Sequence, residues 1–292
     1  VASLQNIRRR INSVKSTQKV TKAMKMVSAS KLRRAQEAAE AARPYASKMH
    51  QMFAGLNIDP DQVTHPLLVS RTVRKAAVVV VTPDRGLCGA LNTNLCRLGL
   101  TRVRDLEGDG VQVEVVAVGR KARDFFSRRG VVLEQVWTGL LAKADYPSAK
   151  EVGTHVIDGY LAERFDRVDL VSAHFRSVIS QVPQRTQLLP VVPEGPEGGE
   201  AKGPGQTFLF EPSDEEVLGA LLPKYVEVQL YQALLESAAS EHGARMSAMD
   251  SATRNAGEVI KKLTLVYNRT RQESVTKELL DIIGGVEALK AG

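Results

Sequence analysis

The two ends of the chain carry long stretches that helix breakers scarcely interrupt, and this limits the fold more than anything else in the sequence. From Leu4 to Ala54 the only breaker is Pro44. Leu4, Ile7, Ile11 and Val14 recur at steps of 3, 4 and 3, the spacing of a coiled-coil seam. Extending the register gives Gln18, Thr21, Lys25 and Ser28 before Leu32, Ala35, Ala39 and Ala42 restore small apolar groups. The seam is therefore expected to fade in the middle, where Val20, Met24 and Val27 mark a neighbouring apolar stripe. A helix of this length would span about 75 Å and needs a partner.

The partner is expected at the other end of the chain. Ser213 and Glu216 have the spacing of a capping box. Val259, Leu263, Val266 and Thr270 continue a seam at steps of 4, 3 and 4. Pro223 is expected to break or kink the first part of this segment. From Lys224 to Ile283 the helix would run for about 90 Å. In "LLDIIGGVEAL" the residues Leu279, Leu280, Ile282, Ile283, Val286 and Leu289 cover most of the helix circumference. Such an end packs either on its own domain or in an apolar socket supplied by a partner.

Between the arms, apolar β-branched runs at Lys75–Val81, Val111–Gly119 and Val168–Phe175 alternate with helical stretches at Asn92–Leu106, Arg120–Arg129 and Ser148–Phe165. This alternation predicts a parallel sheet with helices on its faces. Val191–Gln206 is rich in Pro and Gly and reads as a surface loop, and "TFLFEP" reads as a return strand. The expected class is α/β. An antiparallel coiled coil of residues 1–58 and 213–292 would enclose an inserted Rossmann-like domain of residues 59–212.

Charge separates the same segments. Residues 1–50 hold 12 Lys/Arg against 2 acids, residues 51–212 hold 19 against 19, and residues 213–292 hold 9 against 12. A basic arm and a mildly acidic arm suit pairing with each other. The basic arm has only Tyr45 to stack on a base, and its apolar side lacks the Trp/Phe/Leu face of a membrane-surface helix. Acidic protein surface remains as its target, with nucleic acid as the alternative. The start "VASLQNIRRR" has no apolar stretch after its charges and is not read as a secretory signal. No run reaches the roughly 18 apolar residues of a membrane span, and the 2 cysteines fit a reducing compartment.

The stretch most suggestive of catalysis is "VVVVTPDRGLCGALN", a strand, a turn and a helix start of the kind that holds phosphates. Its glycines, Gly86 and Gly89, match neither dinucleotide nor P-loop spacing, so a structural turn is expected, with Asp84 and Arg85 as an ion pair fixing it. Cys88 has no neighbouring His in the motif, and the 5 histidines form no ligand pattern. No catalytic, cofactor-binding or metal site is expected.

The motifs "STQKVTKAMKMVSASKLRRA", "TPDRGLCGALNTNL", "SEHGARMSAMDSATRNAGEVI" and "LTLVYNRTRQESVTKELLDIIGG", in this order, resemble the γ subunits of bacterial-type F1 ATP synthases. The resemblance implies a central shaft, catalytically silent by itself, whose terminal helices turn inside a hexamer of α and β subunits. Its Rossmann-like domain would stand with the ε subunit on the membrane ring of c subunits. The shaft would couple proton-driven ring rotation to ATP synthesis and hydrolysis and help to regulate ATPase activity, at the cytoplasmic face of the bacterial inner membrane, peripheral and without insertion. Residue by residue, the resemblance implies hexamer contacts at Lys22, Met24, Lys25 and Arg245 and, nearer the tip, at Gln272, Thr276 and Glu278. The Val191–Gln206 segment has no cysteine, so the thiol switch of some photosynthetic members is not implied.

Overall fold

The computed structural model describes residues 3–55, 65–192 and 214–291. Ser213, "TFLFEP" and residues 193–206 of the Pro/Gly-rich loop lie outside the described residues, as do the side chains of Glu216 and Leu289. The chain opens with helix α1 (Leu4–Gly55) and closes with helix α6 (Asp214–Ala291). Between them come β1 (Lys75–Val81), α2 (Leu91–Gly108), β2 (Gln112–Val118), α3 (Arg120–Ser127), β3 (Leu133–Trp137), α4 (Leu140–Lys143), α5 (Tyr146–Leu161), β4 (Arg167–Ser177) and β5 (Ser180–Leu189). The chain divides into two compact units, residues 28–245 and the pair of segments 1–27 and 246–292.

In the larger unit the strands form one sheet in the order β3-β2-β1-β4-β5. β1 pairs in parallel with β2 and β4, β2 in parallel with β3, and β5 returns antiparallel to β4. Six of the seven β1 residues are buried, because a central strand covered on both faces has no solvent side and reads as a continuous apolar run. Its alternate residues feed two cores. Ala77, Val79 and Val81 pack with Val156 and Tyr160 of α5 and with Leu222, Val226 and Leu230 of α6. Ala76, Val78 and Val80 pack with Leu95 and Val103 of α2 and Phe126 of α3.

The structure corrects the sequence reading in four places. Pro223 neither ends α6 nor divides it. The helix continues because Leu222 and Val226, on either side, are fully buried, which offsets the roughly 3 kcal/mol an interior proline costs. Strand β3 was not foreseen, since "LEQVW" is short and polar inside. Strand β5 was hidden by Pro183 and its glutamines, all of which an edge strand tolerates. The short helix α4 follows a glycine in the left-handed region, Gly139, and has no periodic signal of its own.

The turn from β2 into α3 depends on one glycine. Gly119 has φ +102°, and a Cβ there would lie 1.8 Å from the Thr82 carbonyl oxygen. Thr82 is engaged by both neighbours: its N–H donates to Val118 O, and its hydroxyl accepts from the Ala122 N–H. No small shift relieves a clash with a backbone atom held this way. Gly119→Ala should therefore destabilise the larger unit by about 3 kcal/mol or more, read as a lower thermal midpoint or loss of soluble protein. A thermal midpoint equal to that of the unmodified protein would refute the packing described.

Candidate functional site

In the smaller unit α1 meets α6 through the face expected on α1, which does not fade where its residues turn polar. Val259 and Val266 of the seam expected on α6 are instead 42 % and 50 % exposed, so the paired face of α6 is not the one expected. Ile7 and Ile11 are buried, and so is Thr21. Gln18 Nε2 donates to the Thr253 carbonyl at 3.3 Å. The Thr21 and Thr253 hydroxyls lie 2.8 Å apart, and Lys25 Nζ lies 2.5 Å from Asp250 Oδ1. The bond to Lys25 holds the Asp250 carboxyl below the usual carboxylate range. The expected fading is thus corrected: hydrogen bonds replace apolar contact in the same register. Asp250 and Thr253 carry no apolar periodicity, so nothing in the α6 sequence alone marks them as seam residues.

These contacts descend along one helix as they climb the other, so the pairing is antiparallel. The Gln18–Thr253 and Lys25–Asp250 contacts extrapolate to place the start of α1 near residue 271. Beyond that point α6 has no stretch of α1 to pair with. Leu280 and Ile282 are each 63 % exposed, and Leu279, Ile283 and Val286 are exposed as well. The apolar tip therefore does not fold back on the chain's own described residues. Gln272, Thr276 and Glu278 are exposed on this same stretch, and Arg269 bridges Glu273 one turn along it at 2.8 Å.

The outer side of α1 presents the second candidate surface. Lys19 and Lys22 are exposed, and among them stand Val20, Met26 and Val27, each more than half exposed. Met24 is half-buried, which suits an adaptable side chain that packs inward while offering its edge. Lys25 is drawn toward Asp250 yet keeps 41 % of its side chain in solvent. This stripe joins cations to apolar groups without aromatics.

Arg245, in the larger unit, is largely buried within the chain. It is 9 % exposed, its Nη2 lies 2.6 Å from Glu241 Oε1, and it donates to the Gly86 carbonyl at 3.2 Å. It pins the turn after β1 to α6. In that turn Asp84 does not pair with Arg85 as expected; its carboxylate accepts from the N–H groups of Arg120 and Gly139, both at 2.8 Å. A carboxylate at the strand end opposes a phosphate there. Cys88, below the turn, is buried, and that burial pushes its thiol up. Burial likewise lifts the Cys96 thiol to about 11, so neither is a ready nucleophile. Among the described residues no helix is long and apolar enough to cross a membrane.

Two measurements test this reading of the larger unit. Arg245→Ala leaves Glu241 buried without its cation, and stability should fall by about 3 kcal/mol. The apolar pair Arg245→Met with Glu241→Leu should recover most of the loss, which would exclude lost volume as the cause. His242 is held neutral by burial, with Arg245 and Lys31 adding repulsion, and its pKa falls to about 4. Between its unfolded value near 6.5 and about 4 the unfolded chain binds the proton and the folded chain does not. Stability should therefore drop as pH falls through that window, and His242→Gln should flatten the drop; a His242→Gln curve parallel to the native one would contradict it.

A protein-family model described as ATP synthase matches residues 3–289. The ATP synthase gamma chain of Desulforamulus reducens is 49 % identical over 290 residues, covering 99 % of this chain and 100 % of that one. The gamma chain of Trichlorobacter lovleyi is 48 % identical over 290 residues with the same coverage. Among solved structures, a chain from the central stalk and c-ring of the Tetrahymena thermophila mitochondrial ATP synthase matches with TM-score 0.61 and 26 % identity, covering 80 % of this chain and 99 % of that one. A chain of the Euglena gracilis mitochondrial ATP synthase shares the fold, with TM-score 0.70, 21 % identity, and coverage of 99 % of this chain and 95 % of that one. With the family model spanning nearly its whole length and relatives of almost half identical sequence, the chain belongs to the ATP synthase gamma chain family.

Proposed function

We propose that this chain is the central rotor subunit of a bacterial F1Fo ATP synthase, linking proton-driven rotation of the membrane c-ring to ATP synthesis and hydrolysis in an α3β3 hexamer. The observation that carries the reading is the unpaired end of α6. An apolar helix tip exposed over Leu279–Val286 is costly in water and is relieved when a surrounding socket takes it up. A socket formed by six subunits around an axis would hold such a tip while letting it turn. The placement at the cytoplasmic face of the bacterial inner membrane, peripheral and beside an ε subunit and the c-ring, belongs to this proposal. So does the division into shaft segments 1–58 and 213–292 and an inserted domain, 59–212.

The mechanism follows from asymmetry. A two-helix shaft presents a different side to each catalytic subunit, so one turn carries every subunit through the same sequence of conformations. The shaft must push without sticking. Exposed cations on flexible stems meet acidic loops through long, screened attractions that are individually weak, whereas deep apolar interlocks would trap one angle. Lys22, Met24 and the outer edge of Lys25 serve this contact on α1, and Gln272, Thr276 and Glu278 serve it near the tip. Arg245 acts indirectly, because its guanidinium is committed to Glu241 and Gly86.

Lys22→Glu reverses an exposed charge that carries no internal structure. In enzyme reconstituted with α, β, ε and membrane subunits, proton pumping per ATP hydrolysed should fall about two- to tenfold while the purified subunit keeps its thermal midpoint. Unchanged pumping would remove Lys22 from the contact. Failure of the folded chain to assemble with α and β subunits into an ATPase would end the rotor reading itself. The alternative of nucleic-acid binding through α1 requires tight, salt-sensitive binding by the isolated chain, and the stripe of Lys19, Val20, Lys22, Met26 and Val27 has no aromatic side chain to stack on a base.

A further inference from the structure

We propose that Gln18, Thr21 and Lys25 of α1, with Asp250 and Thr253 of α6, form a register lock that fixes how far the two helices of the smaller unit are slid along each other. The need for one arises from the α6 sequence. From Ser247 to Gly257 it reads "SAMDSATRNAG", and its buried side chains in this stretch are Met249 and Ala256. Apart from Met249 these residues are small, and a small-residue surface specifies axial position weakly, since shifting it along a seam changes little volume. Polar groups that must find partners supply what packing lacks.

The hydrogen bonds are arranged so that one residue is read twice. The Thr253 hydroxyl lies 2.7 Å from the Met249 carbonyl and 2.8 Å from the Thr21 hydroxyl, which itself lies 3.1 Å from the Gln18 carbonyl. One of the two hydroxyls therefore donates across the helices while the other donates to its own helix. The Thr253 carbonyl accepts from Gln18. A slip that keeps the seam facing inward moves α6 by about one turn, some 5.4 Å. A slip of four residues in one direction puts Gly257 opposite Thr21 and Arg254 opposite Lys25, which sets cation against cation. A slip of four in the other direction puts Met249 opposite Thr21 and Met246 opposite Lys25. Either shift leaves Thr21 without its hydroxyl partner and Lys25 without its acid. Arg254 lies 3.1 Å from Asp250 in the native register, so the acid sits between the two cations and offsets both.

The lock is a device for specificity more than stability. Lys25 and Asp250 retain 41 % and 32 % side-chain exposure, and partly exposed pairs add little to folding free energy. Its worth lies in the slipped alternatives it penalises. Under the rotor reading, the register sets the angle and height of the bare tip relative to the basic stripe on α1. The lock itself is a property of this chain and stands or falls without that reading.

Disulfide formation in the full-length chain decides the matter. Thr21→Cys with Thr253→Cys replaces two hydroxyls already in contact, and mild oxidation should join them in high yield, with mass spectrometry separating this link from any to Cys88 or Cys96. Lys25→Asp alone or Asp250→Lys alone, added to this background, should cost more than half of the 21–253 link. The exchanged pair Lys25→Asp with Asp250→Lys should restore it. Because a single charge change leaves two like charges facing each other and can unfold the unit, the pair Lys25→Leu with Asp250→Leu is measured as well. It should hold or raise the thermal midpoint while the 21–253 yield falls. Undiminished cross-linking in folded single variants, or a Leu pair with full yield, would overturn the proposal.

Discussion

The seam between α1 and α6 is the constraint on which the smaller unit depends. Within this unit the described contacts that hold α1 against α6 come from two helix faces only a few side chains wide. Apolar residues do this near the start of α1, where Ile7 and Ile11 are buried. Further along, the same positions carry Gln18, Thr21 and Lys25, and the contact persists through bonds to Thr253 and Asp250. Changing from apolar to polar chemistry without changing register keeps the helices parallel to one another while lowering the free energy gained per turn. A shaft that must also be assembled into a partner gains from that economy, because a strongly apolar surface throughout would invite self-association.

The larger unit solves the opposite problem. Its sheet is covered on both faces, and α6 contributes to both cores: Leu222, Val226 and Leu230 to one, Ala244 to the other. The helix that reaches the exposed tip is therefore anchored by burial within the larger unit along residues 222–245. The pin from Arg245 to the Gly86 carbonyl adds a directional contact to non-directional packing. This explains why a positively charged residue in a motif associated with partner binding is found inside: the hydrogen bonds to Glu241 and Gly86 satisfy a guanidinium that burial would otherwise penalise heavily.

Much of this was legible in the sequence, and what was not has identifiable causes. The seam of α1 could be followed from Leu4 to Ala42 because a 3-4 step survives changes of chemistry. The buried strand β1 could be read because it has no solvent side to interrupt its apolar run. Edge strands β3 and β5 could not, since half of their surface answers to water and admits Pro183 and Glu134. Proline at 223 misled because local propensity loses to burial of its neighbours. Asp84 could be seen as a turn residue, but its partners, Arg120 and Gly139, lie 36 and 55 residues away, and nothing local indicates which N–H groups a carboxylate will reach. The unpaired tip was legible as an anomaly, but its exposure depends on where α1 begins relative to α6, a long-range register that only paired helices define.

That register links the two surfaces proposed to meet the hexamer. Lys22 and Gln272 lie on different helices, and no backbone segment ties their heights together directly. Their separation along the axis is set by the contacts between α1 and α6: those at Thr253 and Asp250 in the smaller unit and, within the larger unit, the burial of Met49 and Phe53 with Leu222 and Tyr225. A slip of one turn would displace the tip by about 5 Å, more than the reach over which a hydrogen bond or an apolar contact survives. Two partner-facing surfaces on separate helices can therefore act in concert only if something between them forbids sliding. Within the smaller unit the polar stretch of the seam, whose groups must each find a partner, is the part chemically suited to do so.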